Sequence, residues 1–198
     1  MNTKRISTKK TQVQRAEETQ QLILLSACKI FGEKGYENTF LEEIAAETAL
    51  TISPIYHHFG NKLQLFSAVN DRMEEQLLEW LDNFSEQGEE LNLQQGWDGF
   101  IALCKQPGFA QIVLIDAPHV LGRDRWKKSK VIEKANNILL TKGLSIITTD
   151  DNSQAAKDKE LIMRMVMAAL AEAALMVGQD PEYNSQTIIG TLLAILNG

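Results

Sequence analysis

The stretch Thr39–Lys62, TFLEEIAAETALTISPIYHHFGNK, decides how this chain folds. Thr39 can open a helix, its hydroxyl accepting from an N–H one turn on, with Glu42 three residues later completing a capping box. Leu41, Ile44 and Ala45 then fall on one face. The chain turns around Ala49 and Leu50, Thr51 can cap a second short helix through about His58, and Asn61 caps a longer one. Two short helices that cross closely need a small residue at the contact, a tight turn, and apolar pins holding the second helix to the first. Ala45 supplies the contact, and Ile44, Leu50 and Ile55 supply the pins. This is helix-turn-helix spacing, and it leaves the polar or small face from Thr51 to His57 free to enter a major groove.

Upstream, the pattern from about Val13 to Lys34 is helical, with Leu22, Ile23, Ala27, Ile30 and Phe31 recurring at three- and four-residue steps. Gly35 follows as a left-handed helix end. Downstream, Lys62 to about Ser85 carries Leu63, Phe66, Val69, Met73, Leu77 and Leu81 on one stripe. After the break at Gln87-Gly88-Glu89-Glu90, further helices are expected over 92–105, 108–116, 119–141, 155–178 and 184–197. Their punctuation is Pro107-Gly108, Pro118, Gly143, the polar run Thr148–Ser153, and Asp180-Pro181. The expected fold class is all-α: an N-terminal three-helix helix-turn-helix domain plus a C-terminal helical bundle forming a dimer interface. The expected division is a basic flexible arm over 1–12, the helix-turn-helix domain over 13–60, and a helical ligand-binding and dimerisation domain over 61–198.

Composition agrees with helices, since Leu, Ile, Ala and Glu dominate and strand-like Val/Thr/Tyr alternation is missing. The net charge of −6 by itself speaks against a nucleic-acid partner. Its distribution reverses that impression. Lys4, Arg5, Lys9, Lys10 and Arg15 precede the first acid, Glu17. Residues 1–65 hold 8 basic and 7 acidic side chains, a net of +1, whereas residues 66–198 hold 12 and 19, a net of −7. Such an arrangement presents one end to phosphate and repels it from the other. Met-Asn-Thr-Lys-Arg has no apolar run behind it, so no secretory signal is expected, and Met165–Val177 is too short to span a bilayer. Cys28 and Cys104 sit far apart in helical patterns and read as buried reduced thiols of a cytoplasmic protein. No phosphate loop, metal-spaced cluster or nucleophile elbow is present, and Asp116-x-x-His119 is the one close acid/His pair in the body. An enzyme is therefore the weaker alternative, beside a protein-binding adaptor that no longer holds DNA.

The run Ile23-Leu24 … Ala27 … Ile30-Phe31 … Lys34-Gly35-Tyr36 … Thr39 … Ile44-Ala45 … Ile55-Tyr56-His57-His58-Phe59 … Asn61-Lys62 … Leu65-Phe66 resembles the N-terminal domain of the TetR (tetracycline-repressor) family of transcriptional regulators. That likeness runs for about 45 residues without a gap. It implies a non-enzymatic, DNA-binding regulator, by default a repressor, that grips a palindromic double-stranded operator as a homodimer, needs no cofactor or metal, and is released by a small-molecule effector. It also implies roles for individual residues. Thr39 would hydrogen-bond a phosphate through its hydroxyl or backbone N–H, helped by the helix dipole. Thr51, Ile52, Ser53, Pro54 and His57 would form the groove-facing surface, Tyr56 would reach a phosphate or base edge, and Lys62 would pair with phosphate. Lys9 and Lys10 belong to an arm for an adjacent minor groove.

Three positions depart from the family pattern. Ala49 replaces the usual turn Gly, where a left-handed residue costs roughly 1 kcal/mol, so a remodelled turn is expected. Ser53 replaces a Gly in the recognition helix, and Pro54 lies near that helix's start, where a missing N–H is tolerated. With no Arg, Asn or Gln on the face, readout is expected to lean on thymine methyls, His57, the arm and DNA shape.

In the body, the helix 155–178 is apolar nearly all round beyond Met165 and must be covered on two sides. A subunit of this size can scarcely bury both it and the helix 184–197. Pairing with their copies is therefore expected through Met165, Ala169, Ala173, Met176, Ile188, Leu192 and Ile195, which is similar to the family's four-helix dimer interface. A pocket for a small apolar or aromatic effector is assigned to Phe100, Cys104, Phe109, Val113, Asp116, His119, Trp126 and Met167.

Overall fold

The computed structural model describes residues 11–86, 93–122, 125, 129–141, 153–179, 187, 190 and 191. Every regular element among them is helical. Helix α1 spans Gln12–Lys34 and starts in a reciprocal capping box: Gln14 N–H donates to Thr11 Oγ1 at 3.2 Å, and Thr11 N–H donates to Gln14 Oε1 at 2.9 Å. Its buried stripe is Ile23, Leu24, Ala27, Ile30 and Phe31. Leu22, expected on that stripe, is exposed, because it lies about 100° round the helix from Ile23. At Gly35 the φ of 75° is positive as expected, but ψ is 167°, an extended region open essentially to Gly alone rather than the left-handed helical one.

Helices α2 (Leu41–Glu47) and α3 (Ile52–Phe59) follow, then α4 (Lys62–Glu86). Asn61 caps α4 as its sequence position suggests, Oδ1 accepting from Gln64 N–H at 2.8 Å. The α4 stripe of Leu65, Phe66, Val69, Met73, Leu77, Leu81 and Phe84 is buried. Leu63 is not part of it and lies exposed, since Leu65 and Phe66 occupy the inward positions of that turn.

Behind the head stand α5 (Leu93–Cys104), a π-helix, π1 (Ala110–Asp116), α6 (Ala117–Val120), α7 (Lys130–Thr141) and α8 (Ser153–Gln179). Three expectations change here. The segment expected as an α-helix over 108–116 winds as π from Ala110, and Ala117 N–H still reaches back five residues to Ile112 O. Pro118 does not break the chain but sits in the first turn of α6, where its missing N–H costs nothing. The single helix expected over 119–141 is interrupted, because the chain leaves α6 at Leu121–Gly122, where Gly122 takes φ 86°, ahead of α7. The helix expected over 184–197 lies outside the described residues, apart from Thr187, Gly190 and Thr191.

Head and body share one core. A single cluster of buried side chains runs from Ile23 and Phe31 in α1, through Ile44, Ile55, Phe66 and Leu77, to Phe109, Ile112, Val131 and Ile138. Ion pairs brace its edge: Arg125 pairs with Asp71 and with Glu74 at 3.3 Å, and Lys134 pairs with Asp82. The backbones touch where α1 passes the start of π1. A Cβ added at Gly32 would lie 2.4 Å from Gly108 Cα, so both positions need the absent side chain. Among the described residues no helix is long and apolar enough to cross a membrane.

Candidate nucleic-acid interface

Helices α2 and α3 are held against α1 by the pins the spacing predicts. Ile44 and Ile55 are fully buried, Ala45 nearly so, and Leu50 packs half-buried on the same core. The connecting turn is hydrogen-bonded, with Leu50 N–H donating to Ala45 O at 2.9 Å and Ala49 N–H to Ala46 O at 3.1 Å. Ala49 takes φ 54°, the one positive φ of a non-glycine among the described residues. Ala49 thus takes on the left-handed strain, about 1 kcal/mol.

The start of α2 differs from expectation by one residue. Phe40 is the N-cap, and Glu43 rather than Glu42 reaches back, its Oε2 accepting from Phe40 N–H at 3.1 Å. Glu43 also pairs with Lys34, and this bond, then the amide, holds its carboxyl below the ordinary range. Thr39 is fully buried, and its hydroxyl donates to Gly35 O at 2.8 Å, with Ile30 O at 3.4 Å. The phosphate role expected of that hydroxyl is thereby corrected: it faces inward and ties the corner after α1. Phe40 instead stands 62% exposed at the mouth of the helix. Its signal in the sequence was an aromatic ring at the position where short polar caps are favoured.

Along α3 the faces separate cleanly. Ile55 and Phe59 point into the core, while Thr51, Ser53, Tyr56 and His57 are exposed. Ile52 and Pro54 are half-buried, and Ile52 rests partly on the core. Thr51 occupies the N-cap with extended backbone, yet its side chain makes no capping bond, which leaves the hydroxyl available to another acceptor or donor. Lys62, at the start of α4, is half-buried, Nζ 4.3 Å from the centre of the Tyr36 ring and 3.4 Å from Glu37 O. The phenol of Tyr36 is pushed above its usual range by burial and then by the charge of Glu37. Lys9 and Lys10 lie outside the described residues.

In the body, the residues assigned to a pocket divide among different surroundings. Phe109 and Val113 are buried in the shared core, whereas Phe100, Cys104 and Met167 are half-buried against it. His119 is exposed, its Nδ1 at 2.8 Å from Ile115 O. Asp116 turns toward the head, as described below, and Trp126 lies outside the described residues. Burial raises both thiols, Cys104 to about 12. Phe100, Cys104 and Leu114 border a second cluster made of Trp97, Ile101, Ala173, Ala174 and Val177, in which the Trp97 indole N–H has no partner among the described residues.

That second cluster corrects one dimer residue. Ala173 is buried against α5 of its own chain, because small residues there let α5 and α8 approach. Met165 and Met176 face the opposite way, 64% and 49% exposed, with Leu161 beside them, and Ala169 is half-buried. Ile188, Leu192 and Ile195 lie outside the described residues.

Comparison with known proteins agrees with this geometry at both ends. Residues 23–69 match the family model described as bacterial regulatory proteins, tetR family, and residues 91–198 match that of the tetracyclin repressor-like C-terminal domain. The chain belongs to the tetR family. One family member, the HTH-type transcriptional repressor BepR of Brucella suis biovar 1, is 40% identical over 57 residues, 29% of this chain and 27% of its own length. Another, the HTH-type transcriptional regulator SrpR of Pseudomonas putida, is 24% identical over 187 residues, 92% of this chain and 74% of SrpR. The chain spans less than a third of the length of the first curated relatives it matches. Among solved structures, a TetR-family transcriptional regulator from Pectobacterium atrosepticum is 26% identical with a TM-score of 0.59, over 94% of this chain and 95% of that one. Membership in a family of regulatory proteins settles the contest between regulator and enzyme in favour of the regulator.

Proposed function

We propose that this tetR-family chain is a sequence-specific DNA-binding transcriptional repressor of the cytoplasm, acting as a homodimer on an inverted-repeat operator. The observation that carries this reading is the exposed face of α3. A helix pinned by buried Ile55 and Phe59 presents Thr51, Ser53, Tyr56 and His57 outward, and Lys62 opens the helix that follows. Its half-buried Ile52 and Pro54 supply apolar edges suited to thymine methyls. The base-reading groups are few, so phosphate contacts and DNA shape carry much of the affinity. Lys9, Lys10 and the rest of the 1–12 arm add positive charge to this end. Repression is favoured because the similar BepR is a transcriptional repressor and because occluding a promoter needs no further surface.

The division proposed for the chain is arm, head to residue 60 and body from 61, with the body carrying dimerisation and the effector. Phe100, Cys104 and Met167, half-buried and apolar or aromatic, together with a Trp97 indole N–H that has no partner among the described residues, suit a small apolar or aromatic effector with one acceptor group. Selecting bound sequences from a random duplex pool tests the whole reading. The expected product is an inverted repeat with half-sites about one helical turn apart, bound with steep salt dependence. Recovery of no common sequence, or of an asymmetric single site, would reject it.

A further inference from the structure

Asp116 ends π1 in the body, but its carboxylate acts on the head. Oδ2 accepts from Tyr36 N–H at 2.7 Å across 80 positions of sequence, and Oδ1 accepts from Gln111 Nε2 at 3.1 Å. The carbonyl of the same peptide, Gly35 O, accepts from the buried Thr39 hydroxyl at 2.8 Å. One peptide plane is therefore clamped at both ends. A Cβ at Gly35 would meet Gln111 Nε2 at 3.1 Å and Asp116 Oδ2 at 3.5 Å, so the corner and the carboxylate are fitted closely to each other. The plane in turn sets the Tyr36 ring, which lies 5.0 Å edge-on from Phe66 and 6.0 Å stacked from Phe31. On that ring sits Lys62, which also reaches the next carbonyl, Glu37 O.

Resting on the DNA-binding reading above, we propose that Asp116 is a positioning residue for the operator complex. Its carboxylate fixes the Gly35–Tyr36 peptide, and through the Tyr36 ring it holds Lys62 where a phosphate meets it. A charge-assisted bond to a backbone amide is short and directional enough to do this, and a flexible lysine gains most from a preset seat. The direction of the carboxylate depends on the π winding of 110–116. Rewinding to α would turn Asp116 by about 100° per residue gained or lost, away from Tyr36. Asp116 thus sets the aim of Lys62 by way of the Gly35–Tyr36 peptide of the head.

The test measures operator binding by fluorescence anisotropy over a series of salt concentrations, with the full-length chain and the selected inverted repeat. Asp116→Ala is expected to weaken binding about tenfold, the value of one charge-assisted bond. It should also lower the salt slope by about one per subunit, as Lys62→Ala does. The double variant should bind no worse than Lys62→Ala alone. Asp116→Asn keeps an acceptor for Tyr36 N–H and should stay within about threefold of the unaltered chain. Gln111→Ala, which removes only the buttress of the carboxylate, is the gentler arm should Asp116→Ala fail to fold, with an expected loss of about threefold. A lowered melting temperature with unchanged affinity and slope would overturn the proposal, as would losses from Asp116→Ala and Lys62→Ala that simply add. An unaltered chain that binds no inverted repeat defeats the regulator reading itself, before any variant is compared.

Discussion

At the scale of single residues, the turn between α2 and α3 shows how sequence chemistry and fold negotiate. Ala49 holds φ 54° because Leu50 N–H must reach Ala45 O and Ile55 must be delivered to the core. Those two demands outweigh the steric cost of one methyl group. Ala49→Gly is therefore expected to raise thermal stability by an amount equivalent to about 1 kcal/mol or slightly less, since Gly also gains entropy in the unfolded chain. The check is a melting curve; an unchanged or lowered midpoint would mean that the turn carries no strain. The apolar pins Ile44, Ala45 and Ile55 were legible because helical period alone fixes which positions face inward. Thr39 was not. A Thr followed by Glu42 reads as a capping box, but a second acid at Glu43 offers the same box one residue later. Burial of Thr39 against Gly35 O decides between them, and that contact depends on where the chain bends after α1.

At the scale of elements, α1, α3 and α4 were readable to within a residue or two because caps and apolar stripes agree. The stretch 108–141 was not. A π-helix keeps apolar residues at three- and four-residue steps over so few turns that its pattern cannot be told from an α-helix. Nor does Gly122 announce itself as a helix end when the polar residues after it could equally continue one. The contact of α1 with the start of π1 was equally hidden, since neither Gly32 nor Gly108 carries a side chain to read. It is nonetheless among the tightest joints in the molecule. Gly32→Ala places a methyl 2.4 Å from Gly108 Cα, a backbone atom that cannot rotate away. The expected loss is about 1–3 kcal/mol of stability, by denaturant titration, through separation of α1 from π1. A variant as stable as the unaltered chain would show that this joint tolerates widening.

At the scale of the whole molecule, charge and packing assign different tasks to the two ends. Residues 1–65 carry a net of +1 and residues 66–198 a net of −7, an asymmetry that in the proposed operator complex would orient the head toward phosphate. Yet the core does not divide where the charge does, because α1, α4 and π1 share buried side chains. A body so joined to its head can place two heads at a fixed spacing only if the bodies themselves pair. On the proposed dimer reading, the surface for that pairing is on α8, where Leu161, Met165 and Met176 lie exposed. Ala173 lies on the α5 side instead, and the two faces therefore respond differently to a charge. Met165→Glu changes an exposed side chain outside the subunit core and, in the proposed dimer, would put two carboxylates near its two-fold axis. It should yield folded monomers at micromolar concentration by sedimentation, with operator affinity lowered at least tenfold, because two half-sites no longer act together. Ala173→Glu buries an unpaired charge between α5 and α8 and should destabilise each subunit by about 3 kcal/mol or more, whatever its state of association. If Met165→Glu stayed dimeric while Ala173→Glu gave folded monomers, the pairing face would be the one now packed on α5, and the placement of the two heads would have to be rebuilt from there.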